Sequence, residues 1–181
     1  CLVGSEMCIR DSVKNDGIKR LAKSGVVLEN LFCTNAICVP SRASILTGQY
    51  SHVNGVYNLP DALDPDSLNV AKVLKNNGYQ TSIVGKWHLK KEPSGFDYYK
   101  VLPGQGLYND PYFKTKENWE DGSRGGEKEK GFSADIIGDS SIEWLKKIDN
   151  KRPFFLMTHF KATHEPFDYP ERNKDLSLIH I

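Results

Sequence analysis

Five positions carry the chemistry that this sequence offers. In Cys38-Val39-Pro40-Ser41-Arg42 a thiol is followed one helical turn later by a guanidinium. Pro40 suits the first turn of a helix and Gly48 its end. A helix starting there sets Cys38 beside unpaired backbone N–H groups and the positive end of the helix dipole, a favourable place for an anion. Arg42 can lean back toward the same point. Taken alone, the two residues read first as a small buried hydrophobe and a surface charge. Gly85-Lys86-Trp87-His88-Leu89 adds a cation and an imidazole just after a strand-like run at 79–84, and Thr163-His164-Glu165-Pro166-Phe167 adds a second imidazole just beyond an apolar run at 154–157. The chemistry these residue types suit is anion binding next to a sulfur nucleophile.

The elements that must position them follow one grammar. Ile18, Leu21 and Ala22 at helical spacing, closed by Gly25, predict a helix over residues 16–24 followed by a strand-like run at 26–28. The pattern recurs at 66–77, where Asp66 or Ser67 caps a helix bearing Leu68, Val70, Ala71, Val73 and Leu74, before Gly78 and a strand at 79–84. A third copy places Ile136, Ile137, Ile142, Trp144, Leu145 and Ile148 on a helix at 133–149, and Pro153 leads into an apolar run suited to a buried strand. Alternating helix and apolar strand predicts an α/β fold, a mostly parallel central sheet flanked by helices. Active residues then gather at the carboxyl ends of strands. Residues 93–130, rich in Gly, Pro, Tyr, Asn and charge, are too long for an ordinary connection and read as a surface excursion over the site. Asp61, Asp64 and Asp66 form a carboxylate cluster, but Pro60 and Pro65 beside them indicate a turn.

Taken together, the motifs resemble those of the type I, formylglycine-dependent sulfatases of the alkaline-phosphatase-like superfamily. Cys38, Pro40, Ser41, Arg42, Leu46, Thr47 and Gly48 match every constrained position of the first sulfatase signature, and Gly85-Lys86-Trp87-His88 resembles the second. The resemblance covers about residues 14–174, the first part of a catalytic domain, and so implies an incomplete alkaline-phosphatase-like fold. It implies that Cys38 is oxidised to formylglycine by a formylglycine-generating or equivalent maturation enzyme and that its hydrated aldehyde, activated by calcium and Arg42, attacks sulfur. Lys86 would contact a sulfate oxygen, His88 would hydrogen-bond the formylglycine hydroxyl, and His164 would contact the bridging oxygen or protonate the leaving group. His159 is the competing histidine, and its place at a strand end before Phe160 favours a packed core residue. Of the calcium ligands that the family carries, an Asp-Asp pair and a later Asp-Asn or Asp-His pair are not found, which leaves Cys38 as the metal ligand.

The expected activity is hydrolysis of sulfate esters of a small molecule or glycan. Residues 95–99 and 102–106, with Tyr108, Tyr112, Phe113 and Trp119 near them, resemble segments of bacterial sulfatases that act on sulfated glycans. A phosphate mono- or diesterase or a phosphonate hydrolase of the same superfamily is the alternative, because sulfuryl and phosphoryl transfer need similar geometry. A non-catalytic piece with a half-built site is the third reading.

Composition excludes less than it allows. With 181 residues, 39% apolar and 26% charged, there is material for one core. A net charge of +1 gives no bias toward nucleic acid, and no apolar run reaches the ~20 residues of a membrane span. Four cysteines, at 1, 8, 33 and 38, fit neither a dense disulfide framework nor paired metal knuckles. Residues 1–12 and 175–181 lack a period that could bury one face and resemble translated adapter sequence, so they are expected to be a non-native leader and tail around a partial catalytic domain at 13–174. Family resemblance implies a periplasmic or secreted protein.

Overall fold

A computed structural model of the chain describes residues 16–180, with side chains to residue 175. The expectation for residues 1–12 lies outside the described residues. Of 175–181, the backbone to His180 continues a 3-10 helix, Glu171–His180. The chain divides into two units, Cys1–Cys33 and Thr34–Ile181.

In the first unit, helix α1 (Asp16–Ser24) forms where the spacing of Ile18, Leu21 and Ala22 predicts one. The Ser24 hydroxyl donates to the Arg20 carbonyl at 2.9 Å in its last turn. The strand expected at 26–28 does not form: Val26, Val27 and Leu28 are exposed and in no ladder. An apolar run becomes a strand only when a neighbour takes its backbone hydrogen bonds.

The second unit holds a parallel three-stranded sheet. Helix α2 (Cys38–Thr47), the single turn α3 (Ser51–Asn54) and helix α4 (Val70–Asn76) come first, followed by strands β1 (Gln80–Lys86) and β2 (Tyr98–Leu102). A short antiparallel pair, β3 (Tyr112–Phe113) and β4 (Glu127–Lys128), precedes helix α5 (Ser133–Lys147) and strand β5 (Phe154–His159). The sheet order is β2-β1-β5. In register, Lys86 lies beside Leu102 and Gly85 beside His159, so the carboxyl ends of all three strands fall at one edge.

Alternation along β1 separates two cores. Ile83 joins Val39, Ala43 and Leu46 of α2 and Ala71 of α4 in one buried cluster, whereas Val84 joins Leu102, Phe113 and Ile137 of α5 in the other. Helices therefore cover both faces of β1, as the α/β grammar requires.

Three local expectations change. The helix expected at 66–77 starts at Val70, because Asn69 rather than Asp66 or Ser67 caps it, its Oδ1 accepting from Lys72 N at 3.0 Å. The Lys72 ammonium instead ties down the preceding turn through the carbonyls of Pro65 and Ser67. Residues 93–130 are not wholly an excursion: they contribute β2, with Tyr99, Val101 and Leu102 buried against β1. β5 is only partly buried and its Phe154 is exposed: β2 and β5 are both edge strands of the described sheet, but β2 is covered at its free edge through the bridge between Val101 and Lys114, whereas no strand among the described residues lies beyond β5. The turn reading of 61–66 holds. Asp61 accepts from the N–H groups of Tyr57 and Asn58, each at 2.8 Å, and Asp64 accepts from Asp66 N at 2.9 Å.

Candidate active site

The first residue of α2 is Cys38, after an N-cap, Ile37, that offers no side-chain acceptor. The first intrahelical bond runs from Ser41 N to the Ile37 carbonyl at 2.9 Å. Pro40 has no N–H, so it sits in the first turn without wasting a donor, and the N–H groups of Cys38 and Val39 are left for an incoming acceptor. The Cys38 thiol is free and half-buried. Gly48 ends the helix in the left-handed region at φ 69°, its N–H donating to the Ser44 carbonyl at 2.8 Å.

Arg42 crosses from α2 to the end of the sheet. Its Nη1 donates to the Lys86 carbonyl at 2.7 Å and lies 3.2 Å from His159 Nδ1. A guanidinium has no acceptor, so His159 Nδ1 accepts from Arg42 in one tautomer and donates to the Lys86 carbonyl in the other. His159 Nδ1 also lies 3.2 Å from the Lys86 carbonyl. His159 is thus half-buried against Arg42 and is not the packed core histidine that its neighbour Phe160 suggested, since Phe160 itself is exposed. Burial, and then the Arg42 charge, push the His159 imidazole down to about 4.

Gly85 makes this approach possible. It has φ 105°, and a Cβ there would stand 1.9 Å from the His159 carbonyl oxygen. The next residue, Lys86, is 2% exposed. Burial first, then the positive charge of Arg42, lower its ammonium to about 8, with Cys38 opposing and Lys161 reinforcing the shift. His88 follows at φ 58°, an uncommon conformation for a non-glycine residue. It is 8% exposed, and its Nδ1 has no hydrogen-bond partner among the described residues. Burial, then Lys86 and Arg42, push it down to about 4, so this imidazole is neutral at pH 7.

His164 sits on the loop after β5, half-buried, with Nδ1 2.9 Å from the Glu165 carbonyl. Two neighbours tie this loop to the one after β2. The Tyr108 hydroxyl donates to the His164 carbonyl at 2.5 Å, and the Lys161 ammonium reaches the carbonyls of Gln105 and Glu165 at 3.3 Å each while lying 4.8 Å from the centre of the Tyr108 ring. His88 feels the charges of Lys86, Arg42 and His164, and Lys86 feels those of Arg42 and Cys38. The residues singled out from the sequence therefore belong to one electrostatic neighbourhood at the carboxyl ends of β1 and β5. His159, Gln105 and Lys161 join it. The strand-end rule gave a signal for His159, and a charge next to a strand end gave one for Lys161; Gln105 follows a strand hidden in a glycine-rich segment.

Among the described residues, no group of three or more His, Cys, Asp or Glu side chains is placed to hold a metal ion. The described residues do not assemble the oxygen-rich ligand set that calcium requires.

A family model described as Sulfatase matches residues 8–175 of the chain. The chain is 41% identical over 155 residues to an N-acetylglucosamine-6-O-sulfatase of Bacteroides thetaiotaomicron, covering 84% of this chain and 26% of that protein. It is 30% identical over 176 residues to an ulvan-active sulfatase of Formosa agariphila, covering 91% of this chain and 34% of that protein. Among solved structures it resembles, with a TM-score of 0.82 and 37% identity over 90% of this chain and 32% of the other, a protein in complex with its substrate D-glucosamine-2-N,6-O-disulfate. The chain thus spans about a quarter to a third of the length of these proteins.

Proposed function

Since this chain belongs to the sulfatase family, we propose that the whole protein hydrolyses sulfate esters of carbohydrates, with Cys38 as the precursor of its nucleophile. The observation that carries this reading is that Arg42, from the helix that Cys38 begins, is bonded to the backbone of Lys86, so the nucleophile's helix and the sulfate-binding cation are held as one unit. The glycan relatives support a sulfated aminosugar as substrate.

Oxidation of the Cys38 side chain to formylglycine would supply a hydrated carbon with two hydroxyls, one to attack sulfur and one to expel sulfate as the aldehyde re-forms. Cys38 fits that conversion, being unpaired and half-buried. The remaining steps fall to the chain's own residues. The N–H groups of the first turn of α2 and the Lys86 ammonium donate to the non-bridging sulfuryl oxygens, where negative charge gathers in the transition state. Arg42, fixed by the Lys86 carbonyl and His159, favours the ionised nucleophile at the start of its own helix. His88, neutral and with Nδ1 unpartnered, hydrogen-bonds the nucleophile's hydroxyl. His164 gives a proton to the departing alcohol oxygen, so the ester O–S bond breaks without releasing an alkoxide. Calcium is the family's metal, but the described residues do not make its site.

A periplasmic or extracellular location and a formylglycine-generating maturation partner belong to the same proposal. The test is to produce the whole protein together with a formylglycine-generating enzyme and compare its turnover of glucosamine 6-sulfates, aryl sulfates, phosphate monoesters and phosphate diesters. Preference for sulfate esters is the expected result, and faster turnover of phosphate diesters would replace the reading.

A further inference from the structure

The segment that carries His88 follows a path that side chains disfavour. His88 and Lys90 both lie in the left-handed region, at φ 58° and 67°, a conformation uncommon for a single non-glycine residue. Such a backbone persists only where its surroundings over-determine it. Three contacts do so here. Gly122 N donates to the Lys90 carbonyl at 2.9 Å, Trp87 Nε1 donates to the Lys91 carbonyl at 2.7 Å, and the Lys91 ammonium pairs with the Asp121 carboxylate at 2.6 Å. The first and the last of these come from the turn at 119–122, between β3 and β4.

A buried cation gathers that turn. Lys114 follows β3, and its N–H and carbonyl are both bonded to Val101 of β2, at 2.8 and 2.9 Å, so its backbone belongs to the edge of the sheet. The residue is 0% exposed. Its ammonium donates to the carbonyls of Glu120 and Gly122, at 2.5 and 3.2 Å, and lies 4.9 Å from the centre of the Trp119 ring. A buried ammonium needs such acceptors around it, and here the turn's own backbone supplies them. Asp121 closes the turn from outside by accepting from Trp119 Nε1 at 3.0 Å. The two segments meet at the imidazole: His88, Lys114, Trp119 and Gly122 line one cavity of about 10 Å³.

We propose that Lys114 is a positioning residue for His88: by gathering the turn at 119–122, it holds segment 87–91 in the conformation that aims the imidazole at position 38. With no exposed surface, Lys114 can itself touch neither substrate nor nucleophile. The inference rests on the reading of His88 as the partner of the nucleophile's hydroxyl.

The test is a double-mutant cycle in the whole protein, produced with a formylglycine-generating enzyme, on whichever sulfate or phosphate ester it turns over fastest. Lys114→Met keeps most of the side chain's bulk and removes its donors. It should lower kcat on the order of 10- to 100-fold, as misplacing a catalytic group by up to about 1 Å does, while KM stays within about twofold. In a His88→Ala background the same substitution should change kcat by less than about twofold, because the group it positions is gone. Asp121→Ala keeps the proposal testable where Lys114→Met fails to fold, since it removes the Lys91 and Trp119 contacts from the surface and leaves Lys114 in place. Its effect on kcat should be about threefold, the worth of an exposed ion pair, and should again vanish in His88→Ala. Equal losses in both backgrounds, or lowered thermal midpoints with unchanged kcat, would show a loop brace and overturn the proposal. If the fastest ester is a phosphate diester, the proposed function fails and the cycle still decides the role of Lys114. If no ester is turned over, the proposed function fails and crystal structures decide: His88 and Lys90 leaving the left-handed region in either variant supports the proposal, and an unmoved segment 87–91 overturns it.

Discussion

Gly85 and His159 face each other across the β1–β5 ladder so closely that a Cβ on Gly85 would lie 1.9 Å from the His159 carbonyl oxygen. Gly85 precedes the buried Lys86, and His159 contacts Arg42. The absence of one side chain therefore sets the spacing of the strand ends that carry Lys86 and His159. Gly85→Ala has to push backbone against backbone at φ 105°, and the expected cost is on the order of 2–4 kcal/mol. Urea unfolding of the whole protein measures it. A loss below roughly 0.5 kcal/mol, the range of ordinary surface substitutions, would show that the strands have room to part.

Arg42 and His159 should act as a unit. Arg42 makes both contacts through Nη1, and a lysine at position 42 is too short to carry its ammonium to the Lys86 carbonyl and His159 Nδ1 together. Arg42→Lys is expected to lower kcat/KM on the order of 10²-fold, and His159→Ala about tenfold. The double variant should lose less than the product of the two, because each change removes the same contact. Strict multiplicativity in the four-member cycle would separate the residues.

The Lys86 ammonium, lowered to about 8 by burial and by Arg42, gives kcat/KM an alkaline limb. Above that pH the free protein loses the proton that pairs with sulfate, so kcat/KM falls as pH rises through about 8. Lys86→Arg, whose charge persists at any accessible pH, should flatten the limb even where its absolute rate is lower. An unshifted limb in that variant would assign the ionisation to another group.

His88 and His159 both sit near 4 against an ordinary 6.5, chiefly through burial. Between those values the unfolded chain binds protons that the folded chain refuses, so stability falls as pH drops from about 6.5 toward 4. Each histidine contributes up to roughly 3 kcal/mol of that fall. Denaturant midpoints across the window should drop more shallowly in His159→Asn than in the unaltered protein. Equal slopes would mean that His159 is protonated in the native state.

How much of this was legible depends on whether the signal was local. The 3.6-residue spacing in α1, α4 and α5, the strand-like run of β1 and the apolar run of β5 appear in order along the chain, and Pro40 and Gly48 bracket α2. The strand β2 was hidden because its five residues, with buried Tyr99, Val101 and Leu102, lie among glycines and prolines and gain strand character only by pairing with β1. Val26 to Leu28 shows the converse: strand-like composition without a ladder. At the site, Cys38, Arg42, Lys86, His88 and His164 stand in motifs that can be read directly. His159 and Gln105 are ordinary residue types whose relevance comes from the Gly85–His159 and Lys86–Leu102 registers, which are long-range facts. The helix cap moved from Asp66 or Ser67 to Asn69 for a similar reason, since the Lys72 side chain stabilises the turn before it.

The central claim is that the side chain at position 38 supplies the nucleophile, and sulfate release from N-acetylglucosamine 6-sulfate by the whole protein and its Cys38→Ala variant tests it most directly. Both are produced with a formylglycine-generating enzyme, and the mass of the position-38 peptide is recorded for each. The unaltered protein should show the mass of the aldehyde and release sulfate. The variant should lose activity by at least on the order of 10³-fold, as removal of a nucleophile does, while keeping its fold. Undiminished sulfate release by Cys38→Ala would contradict the account.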